Sequence, residues 1–352
     1  MARNAQRDLD NHFTEGRACP ISFLRTVQAV IIFAILMWHF KYREAFAHED
    51  INLQNYAIQG ERAIKMNYHK LMRKIGNKSD WSFGHGKFGV ASASVGGKEK
   101  FDRFTVFDNG AKKYEDQMMV FSVISGFVCP DVADAVELEL VPSLLNRILT
   151  DSPNSDQELR NLFLRETTKF DRNLQKMFSP ESLCGATALL GVHFKSNTTL
   201  FSVGDNRALL FFDDQYFDTD DYTAEKAIDS ISKHGGTVNF VNGSWRIGGL
   251  IRSSSAFGAF LFQYRKWVNA FAYIRGHTAL KDGHIVHPMH GVIIGTNGFW
   301  DAVSNNAAIQ IVNEILDKDP LFIAQQLVAS ALKSKSSDHI TVMFLRNNFR
   351  IV

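Results

Sequence analysis

The chain has 352 residues, 45% of them hydrophobic and 12% aromatic, enough to bury a substantial core. Lys plus Arg number 39 against 37 Asp plus Glu, and this balance excludes a dedicated nucleic-acid binder, which carries a strong basic excess. Only seven prolines and no long polar repeat argue against extensive disorder. Cys19, Cys129 and Cys184 are scattered without CxxC spacing, so they support neither a disulfide framework nor a zinc site. Reduced cytosolic thiols are the expectation, and the apolar setting of Cys129 suggests inert burial.

Residues 1–20 are polar. Ile21 to Phe40 then reads ISFLRTVQAVIIFAILMWHF, free of formal charge from Thr26 onward. A membrane-spanning helix needs about 20 apolar residues, so this run spans only if it extends through Arg25. A membrane anchor and a docked amphipathic or buried helix are both open readings. A signal peptide is disfavoured by the long polar stretch before the run and by the lack of a small-residue cleavage site after it. Residues 41–82 have the charged periodicity of a helical connector. The main domain is expected over residues 83–352.

Within that domain, short runs rich in Val, Ile, Phe and Thr alternate with helical stretches. FTVFD, MMVFSVIS, ATALLGVHF, TLFSVGD, RALLFF, GVIIGTNG and HITVMFL read as strands bounded by turn residues. Val132–Leu149, with Pro142 as a possible bend, Asp156–Met177, Ala307–Leu316 and Leu321–Leu332 place apolar residues on one helical face. Strands in pairs with helix pairs between them predict an α+β fold in which packed sheets carry helices outside.

Three segments in order resemble the protein phosphatase 2C (PPM) family. They are CGATALLGVHFKSNTTLFSVGDNRALLF (Cys184–Phe211), VIIGTNGFWDAVSNNAA (Val292–Ala308) and SSDHITVMFL (Ser336–Leu345). The resemblance implies a central β-sandwich flanked by pairs of α-helices. It also implies a site in which aspartates hold two Mn²⁺ or Mg²⁺ ions that activate a bridging water against a phosphoester.

Aligned by those motifs, the acidic positions are degraded. Asp102 in FDRF and Asp338 in SSDHITV match the family's first and last ligands as vestiges. The bridging Asp falls on Ser125, the Asp of the Ser-Asp-Gly motif on Asn297, and a further Asp on Ala259. The phosphate-gripping Arg has no clear counterpart; Lys98 or Lys100 is nearest. Hard divalent cations want several charged oxygen ligands, so no metal and no catalytic residue is expected. Mn or Mg enters only under the alternative, a divergent Ser/Thr phosphatase, either free or membrane-anchored.

The implied function is a pseudophosphatase adaptor. GVASAS (Gly89–Ser94), VGDNRALL and GTNGFWDAV resemble the family's adaptor branch that binds and activates the TGF-β-activated MAP kinase kinase kinase. A protein kinase of that class is therefore the expected partner, with a cytoplasmic location or, through residues 21–40, a membrane-associated one.

Other constellations are weaker. His284, His287 and His290 share a three-residue spacing, but Pro288 interrupts any common helical face, which favours a surface loop. Arg207 is expected to pair with Asp205 or a neighbouring carboxylate. FGAFLFQYRKW (Phe257–Trp267) reads as a strand whose aromatics belong first to the core; exposed, Phe260, Phe262, Tyr264 and Trp267 would form a docking patch.

Overall fold

The computed structural model describes residues 80–346, apart from 86, 97–100, 109–117, 154, 195–196, 213–215, 220, 242, 270–272, 279, 282–283 and 286–289. The polar terminus, the apolar run at Ile21–Phe40 and nearly all of the connector lie outside the described residues. No helix among the described residues is long and apolar enough to cross a membrane.

Four strands, β1 (Trp81–His85), β2 (Phe88–Ala93), β3 (Phe101–Asp108) and β4 (Met118–Phe127), lead into a helical layer. That layer comprises α1 (Asp131–Ala135), a π-helical turn (Val136–Leu140), α2 (Val141–Asp151) and α3 (Asp156–Met177). Next come β5 (Gly185–Phe194), β6 (Asn197–Val203), β7 (Arg207–Phe211), β8 (Tyr216–Asp218), α4 (Ile228–Lys233), β9 (Val238–Val241) and β10 (Ser244–Ile247). The remainder holds β11 (Phe257–Gly258), α5 (Phe260–Tyr264), β12 (Tyr273–Thr278), β13 (Leu280–Lys281), β14 (His284–Ile285) and β15 (Gly291–Gly295). It closes with α6 (Asn297–Trp300), α7 (Asn305–Glu314), α8 (Pro320–Lys333) and β16 (Ile340–Arg346).

Two antiparallel sheets form, ordered β1-β2-β16-β15-β7-β8 and β12-β6-β5-β4-β3, with β11 added alongside β5. Successive strand residues face opposite sides, so every second residue enters the space between the sheets. Phe88, Leu345, Val292 and Leu210 stand in one cross-strand row, and Val90, Met343, Ile294 and Ala208 in the next. They meet Phe104, Val106, Phe121, Val123, Leu189 and Leu200 of the second sheet. The other face of the first sheet packs under α7 and α8 through Leu209, Phe211, Phe344, Val312 and Leu327. The second sheet is covered by α1, α2 and α3 through Val132, Leu144, Phe163 and Leu190. The fold is the α+β sandwich of two sheets between two helical layers.

Local chemistry explains most boundaries. Ser155 accepts from the Glu158 backbone N–H at 3.2 Å and starts α3. Asp319 does the same for α8, with Pro320 in the first turn, where its missing N–H costs nothing. Pro142 likewise sits at the start of α2, so the break in this stretch is the π turn before it and not a proline kink. Trp81–His85 pairs with β2 in antiparallel register.

Gly191 sits opposite Phe121, and a Cβ there would lie 2.0 Å from that buried ring. Gly191→Ala should therefore destabilise the domain by about 2 kcal/mol through overpacking, measured as the loss in urea unfolding free energy. A neutral result would show that the core yields around Phe121.

Candidate functional site

The inner-face alternation that builds the core turns polar at one end of both sheets. Two residues beyond Phe88 and Val90 comes Ser92; two beyond Met343, in the opposite chain direction, comes Thr341; the same step from Phe104 and Val123 gives Asp102 and Ser125. Asp102 and Ser125 are direct register partners, and Thr341 partners Ser92. Ser125 Oγ donates to Asp102 Oδ1 at 2.8 Å, and Thr341 Oγ1 donates to Oδ2 at 2.5 Å across the two sheets. Ser92 Oγ lies 2.6 Å from Thr341 Oγ1 and donates to the Ile340 carbonyl. Asp102, Ser92 and Thr341 are all buried.

A second group gathers at the same end of the first sheet. Asp205 precedes β7, Asn297 follows β15 and Asp338 precedes β16. Asn297 Nδ2 donates to Asp205 Oδ2 at 3.1 Å. Arg252 pairs with Asp301, and its Nη1 lies 3.7 Å from Asp338 Oδ2. Asp338 also accepts from the His339 backbone N–H at 2.9 Å.

Burial raises the Asp205 carboxyl to about 6; Arg252 opposes the shift, while Asp301 and Asp338 reinforce it. Burial works against the charge of Arg252, yet the Asp205, Asp301 and Asp338 carboxylates outweigh it and hold the guanidinium's pKa above its ordinary value. Arg246 of β10 lies within the same field, lowered by its burial and by Arg252.

The sequence-predicted positions thus separate. Asp102 with Ser125 forms one cluster, and Asn297 with Asp338 belongs to the other. Ala259 is apart from both: it is fully buried among Ala224, Ile231, Ile247, Ile251 and Phe262, with a left-handed backbone at φ 53°. Arg252, Asp301, Ser92 and Thr341 were not picked out from the sequence. For Ser92 and Thr341 the signal was available in the strict two-residue period of β2 and β16. For Arg252 nothing local announces its partners.

Of the two partners expected for Arg207 the structure shows the second, a neighbouring carboxylate: it pairs with Asp221 at 2.6 Å and not with Asp205, donates to Asn305 at 3.2 Å and lies over the Trp300 ring. Two expectations are corrected. Phe257–Trp267 is not an aromatic strand face but a two-residue strand followed by α5, which turns Phe260 and Phe262 into the core. Trp267 is half-buried against Phe262 and donates to the His234 carbonyl, leaving Tyr264, 85% exposed, as the accessible member of the proposed patch. Finally, Cys129 and Cys184 are joined as a disulfide with Cα atoms 5.3 Å apart, because the ends of β4 and β5 are paired neighbours. Sequence spacing alone does not reveal that neighbourhood.

Lys98, Lys100 and His287 lie outside the described residues. Among the described residues, His284 falls in β14 and His290 immediately before β15.

The exposed aromatic pair on the β9–β10 hairpin was also missed. Phe240 and Trp245 are directly paired, their rings 5.3 Å apart edge to face, and both are exposed. Asn242-Gly243 between two alternating runs is the hairpin signal that would have found it, with Gly243 at φ 81°.

The sandwich, its polar end and its flanking helix pairs define a metal-dependent phosphatase architecture. The chain belongs to the protein phosphatase 2C family, whose model matches residues 91–340. It is similar to probable protein phosphatase 2C 45 of Oryza sativa subsp. japonica, 26% identical over 268 residues that cover 74% of this chain and 88% of that one. It is similar also to protein phosphatase 1L of Bos taurus, 26% identical over 269 residues, 73% and 72% of the two chains. A serine-threonine phosphatase 2C from Toxoplasma gondii shares the fold with a TM-score of 0.59 at 20% identity, covering 75% of this chain and 96% of that one. A C. elegans sex determining protein matches with the same TM-score at 15% identity, covering 76% and 65%.

The family resemblance implies paired divalent ions at the polar end, and the donors present there do not fit them. Two such ions need several ionised oxygens free to converge on them. Here the two oxygens of Asp102 accept from two hydroxyls, the Asn297 amide points a donor at Asp205, and a guanidinium lies against Asp338 and Asp301. Among the described residues, the one set of three His, Cys, Asp or Glu ligand atoms within 4.8 Å of one another is Cys129, Asp131 and Cys184.

The raised Asp205 carboxyl sets a pH dependence. The folded chain holds this proton more tightly than the unfolded chain, so its contribution to stability is full below about pH 4 and is lost as pH rises through about 6. Asp205→Asn removes that loss. The stability of the variant relative to the native chain should grow by about 2 kcal/mol between pH 4 and pH 7, read from urea unfolding at each pH. An unchanging difference would place Asp205 in contact with solvent.

Proposed function

We propose that this chain is a non-catalytic protein phosphatase 2C domain that acts as an adaptor, binding and regulating a protein kinase of the MAP kinase kinase kinase class. The observation that carries this reading is the Arg252 guanidinium lying among Asp301, Asp338 and Asp205, where a cation built into the chain takes the charge compensation that a metal would provide. The capping of Asp102 by Ser125 and Thr341 supports it independently. A carboxylate whose oxygens already accept from two hydroxyls has fewer lone pairs left for a cation, and Ser125 adds no charge beside it.

The kinase partner rests on the short motif resemblances at Gly89–Ser94, Val203–Leu210 and Gly295–Val303. A signalling adaptor needs the fold's surface and not its chemistry, which is consistent with retained core glycines and Trp300 beside substituted aspartates. A membrane-anchored variant of this reading rests on the sequence of residues 21–40 alone.

The test is hydrolysis of p-nitrophenyl phosphate and of a phosphothreonine peptide by the full chain, with Mn²⁺ and Mg²⁺ titrated to millimolar concentration. No turnover above the metal-only control is expected, and Asp338→Ala should leave that baseline where it is. Metal-dependent turnover that Asp338→Ala abolishes would favour the divergent phosphatase instead. In parallel, adding the chain to its co-purifying kinase should raise kinase autophosphorylation; no change in kinase activity removes the regulatory part of the reading.

A further inference from the structure

Cys129 and Cys184 bracket the helical layer. Cys129 stands two residues before α1 and Cys184 seven after α3, a separation of 55 residues that contains all of α1, the π turn, α2 and α3. The disulfide closes this layer at its base, where the last register pair of β4 and β5 is Phe127 with Gly185.

The same junction holds the segment that carries α5. The Cys184 carbonyl accepts from Ala259 N–H at 2.7 Å, and Gly258 pairs with Gly185 in the β11–β5 ladder. Contact here is tight enough that a Cβ on Gly258 would meet the Cys184 carbonyl at 2.4 Å, and one on Gly185 would meet the Phe127 ring at 2.4 Å. The strand carrying Ser125, the turn at Val128 with φ 69°, and the entry to α5 therefore all converge on this one bond. Cys184 is buried and Cys129 half-buried, so Cys129 is the more accessible of the two.

We propose that Cys129 and Cys184 form a reversible redox latch, oxidised by a peroxide, that fixes the β4–α1 turn and α5 against the start of β5. The Cys129 thiolate attacks the peroxide oxygen; the O–O bond breaks, a sulfenic acid forms, and hydroxide leaves to be protonated as water. The Cys184 thiolate then attacks the sulfenic sulfur, forming the S–S bond and expelling a second hydroxide, which leaves as water. Two thiols and one hydrogen peroxide thus give one disulfide and two waters, with two electrons passing from sulfur to peroxide. A dithiol reverses the step and becomes a disulfide itself. In a reducing compartment a disulfide of this kind is transient and redox-sensing.

The experiment uses the full chain carrying Cys19→Ser, reduced, then treated with hydrogen peroxide and alkylated. Peptide mass spectrometry should find Cys129 linked to Cys184, and dithiothreitol should release it. Amide hydrogen exchange in residues 126–131 and 256–264 should be roughly tenfold slower in the oxidised form, and the Tm roughly 5 °C higher. Cys129→Ala, at the less buried position, should abolish both differences while the reduced native chain and the variant exchange alike. Oxidation to sulfinic acid without a bridge overturns the proposal, as does identical exchange in the two states. Zn²⁺ retained stoichiometrically by the two thiols, protecting them from peroxide, would assign Cys129, Asp131 and Cys184 to a metal and overturn it equally.

Discussion

The buried carboxylate of Asp102 is the fixed point around which the polar end of this domain is organised. It lies at the inner edge of one sheet and receives a hydroxyl from its own sheet, Ser125, and another from the opposite sheet, Thr341. A buried charge is tolerated only where hydrogen bonds replace lost water. Ser125 and Thr341 provide that replacement, and Ser92 extends it to the edge of β2. The contact between Asp102 and Thr341 also ties the two sheets together beyond the last apolar rows. Polar matching there takes over the work done by Phe104, Phe121 and Met343 further in. Removing the acceptor would leave two hydroxyls, Ser125 and Thr341, to find new partners, so the position is constrained by folding.

This arrangement separates two roles that share one set of residues in a metal-dependent phosphatase. The sandwich needs the strand period, the glycines that admit bulky rings and the indole of Trp300, which donates to the Arg207 and Gly295 carbonyls. Metal chemistry needs ionised oxygens directed at a common centre. The first set is present, and the polar residues at this end engage one another in hydrogen bonds and ion pairs.

Much of the architecture was legible in the sequence because β4, β5, β7, β15 and β16 are short runs rich in Val, Ile, Leu and Phe, buried on both faces and bounded by turn residues. The α3 helix matched its expected span because Ser155 and Glu158 mark its start. Motif alignment placed Asp102 and Ser125 at two positions of one site; their direct pairing came from the register of β3 and β4. What stayed hidden depends on long-range proximity. Arg252 meets Asp301 and Asp338 only after some fifty to ninety residues of chain fold back, and Cys129 meets Cys184 only because β4 and β5 are neighbours. The aromatic run at Phe257–Trp267 misled because alternating Phe, Leu and Tyr read equally as a strand or a short helix. Pairing with β5 ends after Gly258, and the left-handed Ala259 turns the chain into α5.

The charge count at the polar end gives the sharpest contrast with metal chemistry. Asp205, Asp301 and Asp338 bring three negative charges, and Arg252 with Arg246 brings two positive charges into the same field. The remaining imbalance is a single charge, and Asp205 takes up a proton at about pH 6, which cancels it. A pair of divalent ions would add four positive charges to a region already this close to neutral. Even with Asp102 ionised, the sum would be strongly positive, in a site where burial has already made uncompensated charge costly. One divalent ion displacing Arg252 would come nearer to balance, but the guanidinium pairs with Asp301 and Asp338 on two different segments and would have to be expelled against both. The Asp301 and Asp338 carboxylates thus already have a cation from the chain itself beside them.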